Sequence, residues 1–413
     1  MTATAPPAAA AAAVALPRLG QPLPIFEDTG CIYLDYNATT PVYPEASEAM
    51  KPFLTAFGNP SSAHAYGAPT AAAVATARAQ VAAMVGAEPG EIYFTSCGTE
   101  SDAWAIWGAV QAARKRHGAG FMPHVVTTAI EHPAVLGTLA SYAAQGLLEF
   151  TAVPVDCEGL VSVAAVEGAL RPATVLLTVM HSNNEVGSIL PVAELAALAR
   201  QRGILLHSDA AQSLGKVEVD VTRLGVDALT IVGHKFGAPK GVAALFVRRG
   251  VHLERLLCGG GQEGGQRAGT ESVLLLAGLG AAAAVVAAEL PATAAHMAAL
   301  RDSLQQQLLA GLPPGTARIN GPSDAARRLP NTLSIGIAGI QASALLAELS
   351  QQLAASAGAA CHSGGGSVSA VLRAMQVPLP HALGTLRLSV GRHTAQADVD
   401  AAAALILGYV RRQ

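Results

Sequence analysis

Strand-like and helix-like segments alternate along the middle of this 413-residue chain, between Glu91 and Arg248. Short runs rich in β-branched and other apolar residues are separated by alanine-rich segments with helical character. Such alternation is typical of a mostly parallel sheet covered by helices on both faces. We therefore predict an α/β fold with a seven-stranded sheet, whose strands are 92–95, 124–129, 148–155, 174–180, 204–207, 228–232 and 242–247.

The order of the segments changes after Pro291. A long helix-like segment runs to about Gly311, and short strand-like and helix-like segments then follow one another to the end of the chain. A chain of this length exceeds what one hydrophobic core usually organises. We predict a larger domain over residues 45–291 and a smaller α+β domain in residues 292–413, with strands at 332–337 and 386–390 and helices at 342–350 and 369–375.

Two stretches of the chain are rich in alanine and other apolar residues. Residues 1–29 are rich in alanine and proline with almost no charge and no basic start, which predicts a disordered tail rather than a signal peptide. The apolar run 277–288 stops at Glu289 and Pro291, which makes it too short to cross a bilayer. We expect a buried helix there.

Charge and cysteine content exclude several functions. A formal net charge of −3 gives no electrostatic reason to expect nucleic acid or a membrane as partner. The five cysteines are scattered and odd in number, without metal-ligand spacing, so neither a disulfide framework nor a metal site is expected. These features agree with a cytoplasmic enzyme.

Lys235 is the lysine best placed to act as a nucleophile. The apolar run 228–232 passes abruptly into Gly233, His234 and Lys235, so this lysine is expected at or just past the carboxyl end of a buried strand. Ligands bind at that end of open α/β sheets, and burial lowers the pKa of an ammonium group until the amine is a usable nucleophile. The remaining lysines precede a proline (Lys51), lie in a basic run (Lys115) or flank loops (Lys216 and Lys240).

Polar residues also follow two other strand-like runs. Asp209 and Gln212 come after the run 204–207, and Asn183 and Asn184 come after the run 174–180. An acid beside a lysine at a sheet edge suits a pyridoxal phosphate site, where a carboxylate pairs with the protonated ring nitrogen. Alternatively, Asp209 caps the next helix and the two amides are ordinary turn residues.

Cys361 lies among small residues, and two residues separate it from three consecutive glycines, Gly364 to Gly366. So little side chain predicts a loop that moves and exposes the thiol at times. The alternative is a buried structural cysteine, which is the usual state of a free cysteine. We expect that structural state for the other four cysteines, although Cys97 stands in a presumed phosphate-binding loop.

Several motifs together resemble one family. They are Tyr33-Leu-Asp-Tyr-Asn-Ala-Thr-Thr-Pro, Gly58-Asn-Pro-Ser-Ser, Phe94-Thr-Ser-Cys-Gly-Thr-Glu-Ser, Glu131-His-Pro, Asn183-Asn-Glu-Val-Gly, Asp209-Ala-Ala-Gln, Gly233-His-Lys, Gly259-Gly-Gly-Gln-Glu and Arg267-Ala-Gly-Thr. Over roughly residues 30–413 the chain resembles the cysteine desulfurases and selenocysteine lyases, which are class V aminotransferase-like, fold-type I pyridoxal phosphate enzymes. The resemblance also assigns residues 30–44 to the smaller domain, which carries the cysteine loop.

The resemblance implies pyridoxal 5'-phosphate as cofactor, held by a Schiff base to Lys235. It implies catalytic roles for Lys235, Cys361 and His132. The residues implied to bind the cofactor are Gly98, Thr99, His132, Asn184, Asp209, Gln212, His234, Lys235 and Thr270, with Thr270 reaching in from the partner of a homodimer. Those implied to bind the substrate are Asn37, Asn184 and Arg387.

The implied reaction converts L-cysteine to L-alanine and leaves the sulfur on Cys361 as a persulfide, for transfer to an unidentified acceptor protein. Alternatives are a selenocysteine lyase acting on L-selenocysteine, a lyase releasing free sulfide, and a non-catalytic relative that binds pyridoxal phosphate. Pro133 favours L-cysteine, because mammalian selenocysteine lyases carry an acidic residue there. Val232 departs from the pattern, since many relatives have a phosphate-binding serine at that position.

Overall fold

The computed structural model of the chain describes residues 30–118, 120–360 and 367–413. The predicted tail and Cys361 lie outside the described residues. The helices are α1 Pro44–Met50, α2 Gly67–Val85, α3 Gly98–His117, α4 Pro133–Ala144, α5 Val163–Gly168, α6 Val192–Arg202, α7 Val221–Leu224, α8 Val273–Gly311, α9 Ala342–Glu348, α10 Ala370–Ala374, α11 Leu379–Leu383 and α12 Gln396–Val410. The strands are β1 Ile32–Tyr33, β2 Ile92–Thr95, β3 His124–Thr128, β4 Glu149–Val153, β5 Thr174–Thr178, β6 Leu205–Asp209, β7 Ala228–Val232, β8 Ala243–Val247, β9 Ala317–Asn320, β10 Thr332–Ile337, β11 Leu353–Ala354, β12 Ser356–Ala357, β13 Ala359–Ala360, β14 Ser367–Val368 and β15 Thr385–Ser389.

A seven-stranded sheet forms the centre of the larger part, in the order β2-β8-β7-β6-β5-β3-β4. Strand β8 pairs antiparallel with both of its neighbours, and the other pairs are parallel. Strands β3, β7 and β8 are buried at every position, as expected of strands with helices on both faces. The predicted α/β class and the mostly parallel sheet are confirmed.

The parallel strands bring five chain segments to one edge of this sheet. Strands β2, β3, β5, β6 and β7 point the same way, so their carboxyl ends lie side by side. The segments that begin there are those predicted to carry chemistry, and this edge is where ligands bind in open α/β sheets.

The smaller part contains a four-stranded antiparallel sheet in the order β12-β15-β10-β9. Its hydrophobic cluster includes Leu34 from the beginning of the described chain together with Leu333 and Leu388. Helix α10 instead packs Val371 and Leu372 into the cluster of the larger part. The assignment of residue ranges to two domains stays a prediction.

Helix α8 corrects one expectation. The helical segment does not stop at Pro291 but continues as a single helix of 39 residues. Proline removes the hydrogen bond to the carbonyl of Ala287, but both residues face solvent, where water can satisfy that carbonyl. Leu279 in the first half packs into the larger hydrophobic cluster, and Leu304 in the second half packs into the smaller one.

By length and composition alone, α8 is apolar enough to cross a membrane, and it is the one such helix among the described residues. Because buried side chains anchor both halves of α8 in the two clusters, we interpret it as a core helix.

Gly237 offers a test of how tightly the edge of the sheet is packed. Its φ is +90°, and a Cβ there would lie 2.3 Å from the ring of Tyr43, whereas Gly118 has a similar φ of +95° with open space around it. We expect Gly118→Ala to lower the free energy of unfolding by about 1 kcal/mol through backbone strain alone. Gly237→Ala should lose about 1–3 kcal/mol more because the ring must move. Urea unfolding followed by circular dichroism measures both, and equal losses would contradict this packing.

Candidate active site

A cavity of about 260 Å³ opens at the carboxyl edge of the large sheet. The residues that line it are Cys97, Gly98, Thr99, Asp102, His132, Met180, Ser182, Asn184, Asp209, Ala211, Gln212, Val232, His234 and Lys235. Of the nine residues implied to bind a cofactor, only Thr270 is absent from this lining. The structure therefore brings residues from five separate chain segments into one cavity.

Lys235 ends a single 3-10 turn that follows strand β7 directly. Its Nζ donates to the carbonyl oxygens of Asn37 at 2.7 Å and Ala38 at 2.9 Å. Burial lowers the pKa of Lys235 to about 8, and Arg387 lowers it further while Asp209 acts in the opposite direction. A substantial share of this amine is therefore unprotonated and nucleophilic at mildly alkaline pH.

Asp209 is the last residue of strand β6 and is buried. Its Oδ1 accepts a hydrogen bond of 2.8 Å from the backbone N–H of Ala211, so it caps the following turn and lines the cavity at the same time. Burial raises the pKa of Asp209, and the Ala211 N–H, His132 and Lys235 oppose that rise. No ion pair to a lysine or arginine is formed within the described ranges, so a cation bound in the cavity would stabilise this carboxylate.

His132 precedes helix α4 and caps it. Its Nδ1 accepts a hydrogen bond of 3.1 Å from the backbone N–H of Ala134, which places the lone pair on Nδ1 and the proton of the neutral ring on Nε2. Burial lowers the pKa of His132, against the opposing effect of Asp209. The ring is therefore neutral near pH 7 with its tautomer determined by the backbone.

Gly98 and Thr99 begin the 20-residue helix α3 at the cavity. The unpaired N–H groups and the dipole at such a terminus favour a bound anion. A Cβ on Gly98 would lie 2.6 Å from Cγ2 of Val232, so this backbone approaches β7 closely only because residue 98 is glycine. Val232 fills this contact with a methyl group.

His234 lies beside the same helix terminus and shares a contact of 3.1 Å between its Nδ1 and Oγ1 of Thr39. Burial lowers the pKa of His234 to about 4, with further lowering by Lys235 and Lys240. It can therefore contribute an N–H or a lone pair to a bound anion, but no charge near neutral pH.

Asn37 links the large sheet to the smaller part. Its carbonyl oxygen accepts from Gln212 Nε2 at 3.0 Å, and its side-chain Nδ2 donates to the carbonyl oxygen of Asn184 at 3.2 Å and to Thr332 Oγ1 at 2.9 Å. Its Oδ1 accepts from Asn331 Nδ2 at 2.9 Å. The side chain is thus fully used by protein partners, and its role in substrate binding stays a prediction.

Arg387 on strand β15 points its guanidinium toward the same junction. It donates to the carbonyl oxygen of Asn184 at 3.1 Å, to Asp35 Oδ1 at 2.7 Å and to Ser356 Oγ at 2.8 Å. Its buried Nε has no partner among the described residues. Three of the five guanidinium N–H donors are used by these partners, so two remain, one of them on Nε.

Four predicted site residues are not among those that line the cavity: the substrate-binding candidates Asn37 and Arg387, and also Thr270 and Cys361. Thr270 is exposed in the loop before helix α8, and Cys361 lies outside the described residues. The expectation of structural cysteines is wrong for three others, since Cys97, Cys157 and Cys258 are exposed. These three lie in or beside loops and turns.

Two buried ionisable residues near the cavity have no assigned role in the sequence-based interpretation. Lys216 does follow a turn, but it is only 3% exposed and its Nζ donates to Gln212 Oε1 at 2.8 Å. Because Lys216 follows Gln212 by four residues, the sequence could have indicated that the two side chains meet. Glu131 accepts from Thr128 Oγ1 and from the backbone N–H of Met180, and burial raises its pKa to about 8.

Comparisons with known proteins identify the family of this chain. The model of the aminotransferase class-V family matches residues 32–402. A cysteine desulfurase of Trichormus azollae is 44% identical over 371 residues, covering 89% of this chain and 90% of that protein. A solved NifS-like protein is 34% identical with a TM-score of 0.84, covering 93% of this chain and 100% of that one. SspA, solved in complex with cysteine, is 32% identical with a TM-score of 0.73 and covers 88% of this chain and 99% of that one.

The protein belongs to the class V aminotransferase family. Within that family it is similar to the cysteine desulfurases, which confirms the resemblance drawn from its motifs.

The pKa of Lys235 can be tested in protein free of cofactor. Brief labelling with an amine-reactive acylating reagent, followed by peptide mass spectrometry, should give half-maximal labelling of Lys235 at a pH of about 8. An unperturbed lysine reacts half-maximally near about pH 10.4. Asp209→Asn should move the Lys235 midpoint to lower pH, because that carboxylate raises the pKa. A midpoint above pH 10 in the unmodified protein would contradict the burial of this amine.

Proposed function

We propose that this protein is a pyridoxal phosphate-dependent cysteine desulfurase that acts on L-cysteine in the cytoplasm. One observation carries the proposal: the amine of Lys235 and the carboxylate of Asp209 line the same cavity at the ends of neighbouring strands, β7 and β6. The relatives at 44% identity and the solved structure of SspA with cysteine support the substrate.

The residues present fit pyridoxal phosphate. Asp209 is a buried carboxylate that a protonated ring nitrogen would neutralise, and Lys235 offers an amine to the aldehyde carbon. The N-terminus of α3 offers backbone N–H groups to the phosphate, with Gly98 allowing the close approach. When bound, the cofactor draws electrons from the substrate Cα and so makes its proton acidic.

Lys235 is proposed to move the proton of the reaction, and His132 to donate a hydrogen bond within the same cavity. The Lys235 amine would accept the proton from the substrate Cα. The pKa of about 8 suits this task, because the amine is basic enough to take a proton and a substantial share of it is unprotonated at mildly alkaline pH. His132, neutral with its proton on Nε2, lines the cavity and can donate a hydrogen bond from that N–H.

Arg387 is proposed to bind the substrate carboxylate. A guanidinium matches a carboxylate with two parallel N–H donors. Its present partner, Asp35, is a carboxylate at 2.7 Å, so the substrate would replace one negative charge by another without leaving the cation unpaired. Asn184 presents a backbone carbonyl to the same guanidinium and so helps to orient it.

The sulfur step is assigned to Cys361. Its thiolate attacks the substrate sulfur, a new S–S bond forms, and the bond from the substrate Cβ to sulfur breaks. The electron pair of that bond stays with the substrate, whose Cβ takes up a proton to become the methyl group of L-alanine. Cys361 is left as a persulfide, which passes its outer sulfur to an acceptor protein.

Variants of Lys235 test the reaction. We expect Lys235→Ala to abolish alanine formation from L-cysteine and to prevent borohydride from fixing pyridoxal phosphate to the protein, because no other amine lines the cavity within the described residues. Lys240→Ala, at an exposed lysine five residues away, is the control and should keep both properties. Alanine assays and intact mass measure the outcome, and normal turnover by Lys235→Ala would refute the proposal.

The variant Cys361→Ala should distinguish L-cysteine from L-selenocysteine as a substrate. Thiolate sulfur leaves carbon poorly without a nucleophile to take it, whereas selenium is bound to carbon more weakly. Activity of Cys361→Ala on L-cysteine should therefore vanish, while any activity on L-selenocysteine should survive in part. Full activity of this variant on L-cysteine would favour direct release of sulfide instead.

The active site is proposed to be shared across a homodimer. Arg267 donates to Glu100 in the first turn of α3 at 2.8 Å and 3.1 Å, which ties the loop carrying Thr270 to the beginning of that helix. Thr270 itself is exposed at that position. A second copy of the chain placed against this loop would receive the Thr270 hydroxyl, as the family resemblance implies, and paired C2 dimers are the commonest closed assembly.

Mixing two variants tests whether the sites are shared. Thr270→Ala should weaken cofactor binding roughly 10–100-fold, the effect of losing one hydrogen bond to a charged group. Mixed with Lys235→Ala, dimers of the two variants would hold one intact site, combining Lys235 of one copy with Thr270 of the other. Alanine formation by the mixture should therefore exceed that of either variant alone. A fully active monomer in light scattering, or no gain on mixing, would contradict shared sites.

A further inference from the structure

Lys216 is a buried lysine that the proposed reaction does not use. It is 3% exposed, and within the described residues it forms no ion pair with a carboxylate. Burying an ammonium without a counter-charge is costly, so such a residue needs a compensating interaction. The one that the structure provides is the hydrogen bond of 2.8 Å from its Nζ to Gln212 Oε1.

The backbone turn after Asp209 directs the side chain of Lys216 toward Gln212. The segment after Asp209 winds as a turn in which the N–H of Lys216 donates to the carbonyl oxygen of Ser213 at 3.0 Å. Gly215 adopts a φ of +76°, which a residue with a side chain rarely takes, and a Cβ there would meet Cβ of Phe236 at 3.0 Å. This turn places the Lys216 side chain in the protein interior instead of in solvent.

A second hydrogen bond of the Gln212 side chain determines which atom of its amide is the oxygen. Its Nε2 donates to the carbonyl oxygen of Asn37 at 3.0 Å, and a carbonyl oxygen can only accept. The opposite edge of the amide must then be Oε1, which needs a donor, and Lys216 supplies it. One N–H of Nε2 has no partner among the described residues, and Gln212 lines the cavity.

We propose that Lys216 is a positioning residue for the cofactor: by holding Gln212 Oε1, it presents the remaining N–H of Gln212 Nε2 to the ring oxygen of pyridoxal phosphate. This inference rests on the proposed function. Lys216 does not touch the cofactor, and it acts only through the orientation of one amide.

The electrostatics support a role that does not depend on charge. Burial lowers the pKa of Lys216 well below its ordinary value, and Lys235 and Arg387 lower it further. Both the ammonium and the neutral amine carry N–H groups that can donate to Oε1. The orientation of Gln212 is therefore maintained in either protonation state of Lys216.

Lys216→Met tests the proposal, because methionine has a similar length and no donor. The matched control is Lys51→Met, at an exposed lysine paired with Glu48 on the surface. In cofactor-free protein with 15N-labelled glutamine, the side-chain amide signals of Gln212, assigned by their loss in Gln212→Leu, should shift or broaden in Lys216→Met and stay unchanged in Lys51→Met.

Binding of pyridoxal phosphate gives the second measurement. The dissociation constant of Lys216→Met should rise about 10-fold, the effect of one net hydrogen bond. If Lys216 acts through Gln212, the double variant with Gln212→Leu should bind no more weakly than Gln212→Leu alone. Lys216→Gln, which keeps an N–H donor, should recover most of the affinity and provides the comparison if the methionine variant fails to fold.

Three results would overturn the inference: unchanged Gln212 signals in Lys216→Met, unchanged cofactor affinity, or losses that add in the double variant. A merely structural role of Lys216 would give additive losses and a lower melting temperature. Failure of the unmodified protein to bind pyridoxal phosphate would instead refute the proposed function, and the inference with it.

Discussion

The carbonyl oxygen of Asn37 is the interaction on which the site depends. It accepts both from Lys235 and from Gln212, while the side chain of the same residue is bonded to Asn331 and Thr332 in the smaller part. A single short segment thus connects the nucleophilic lysine, an amide of the cavity and the antiparallel sheet. Any displacement of this segment would change the environment of the lysine and of the amide together.

The pKa values of the residues in the cavity are shifted because these residues are buried and few charges compensate for the burial. Lys235 loses proton affinity and Asp209 gains it for the same reason, removal from water. His132 and His234 are neutral under these conditions, so the cavity does not accumulate positive charge before an anionic ligand enters. The helix terminus at Gly98 supplies the remaining attraction with dipoles alone.

Much of the large sheet and its edge could be predicted from sequence, because each strand is a short apolar run that ends in polar residues. The continuation of α8 through Pro291 could not, since it depends on two cores that hold the helix from both sides. Strand β9, which has only four residues with Arg318 among them, was not predicted. The burial of Lys216 and the full use of the Asn37 side chain depend on segments distant in sequence, which no local pattern reports.

Helix α8 also has a mechanical consequence. Because one continuous rod is embedded in both hydrophobic clusters, neither part can rotate against the other without bending it. The place of least resistance is the turn around Pro291, where a backbone hydrogen bond is already missing on the solvent side. Rigid-body closure of the two parts would therefore have to be small or centred on that turn. Unfolding of either hydrophobic cluster would also destabilise the other, because both pack against the same helix.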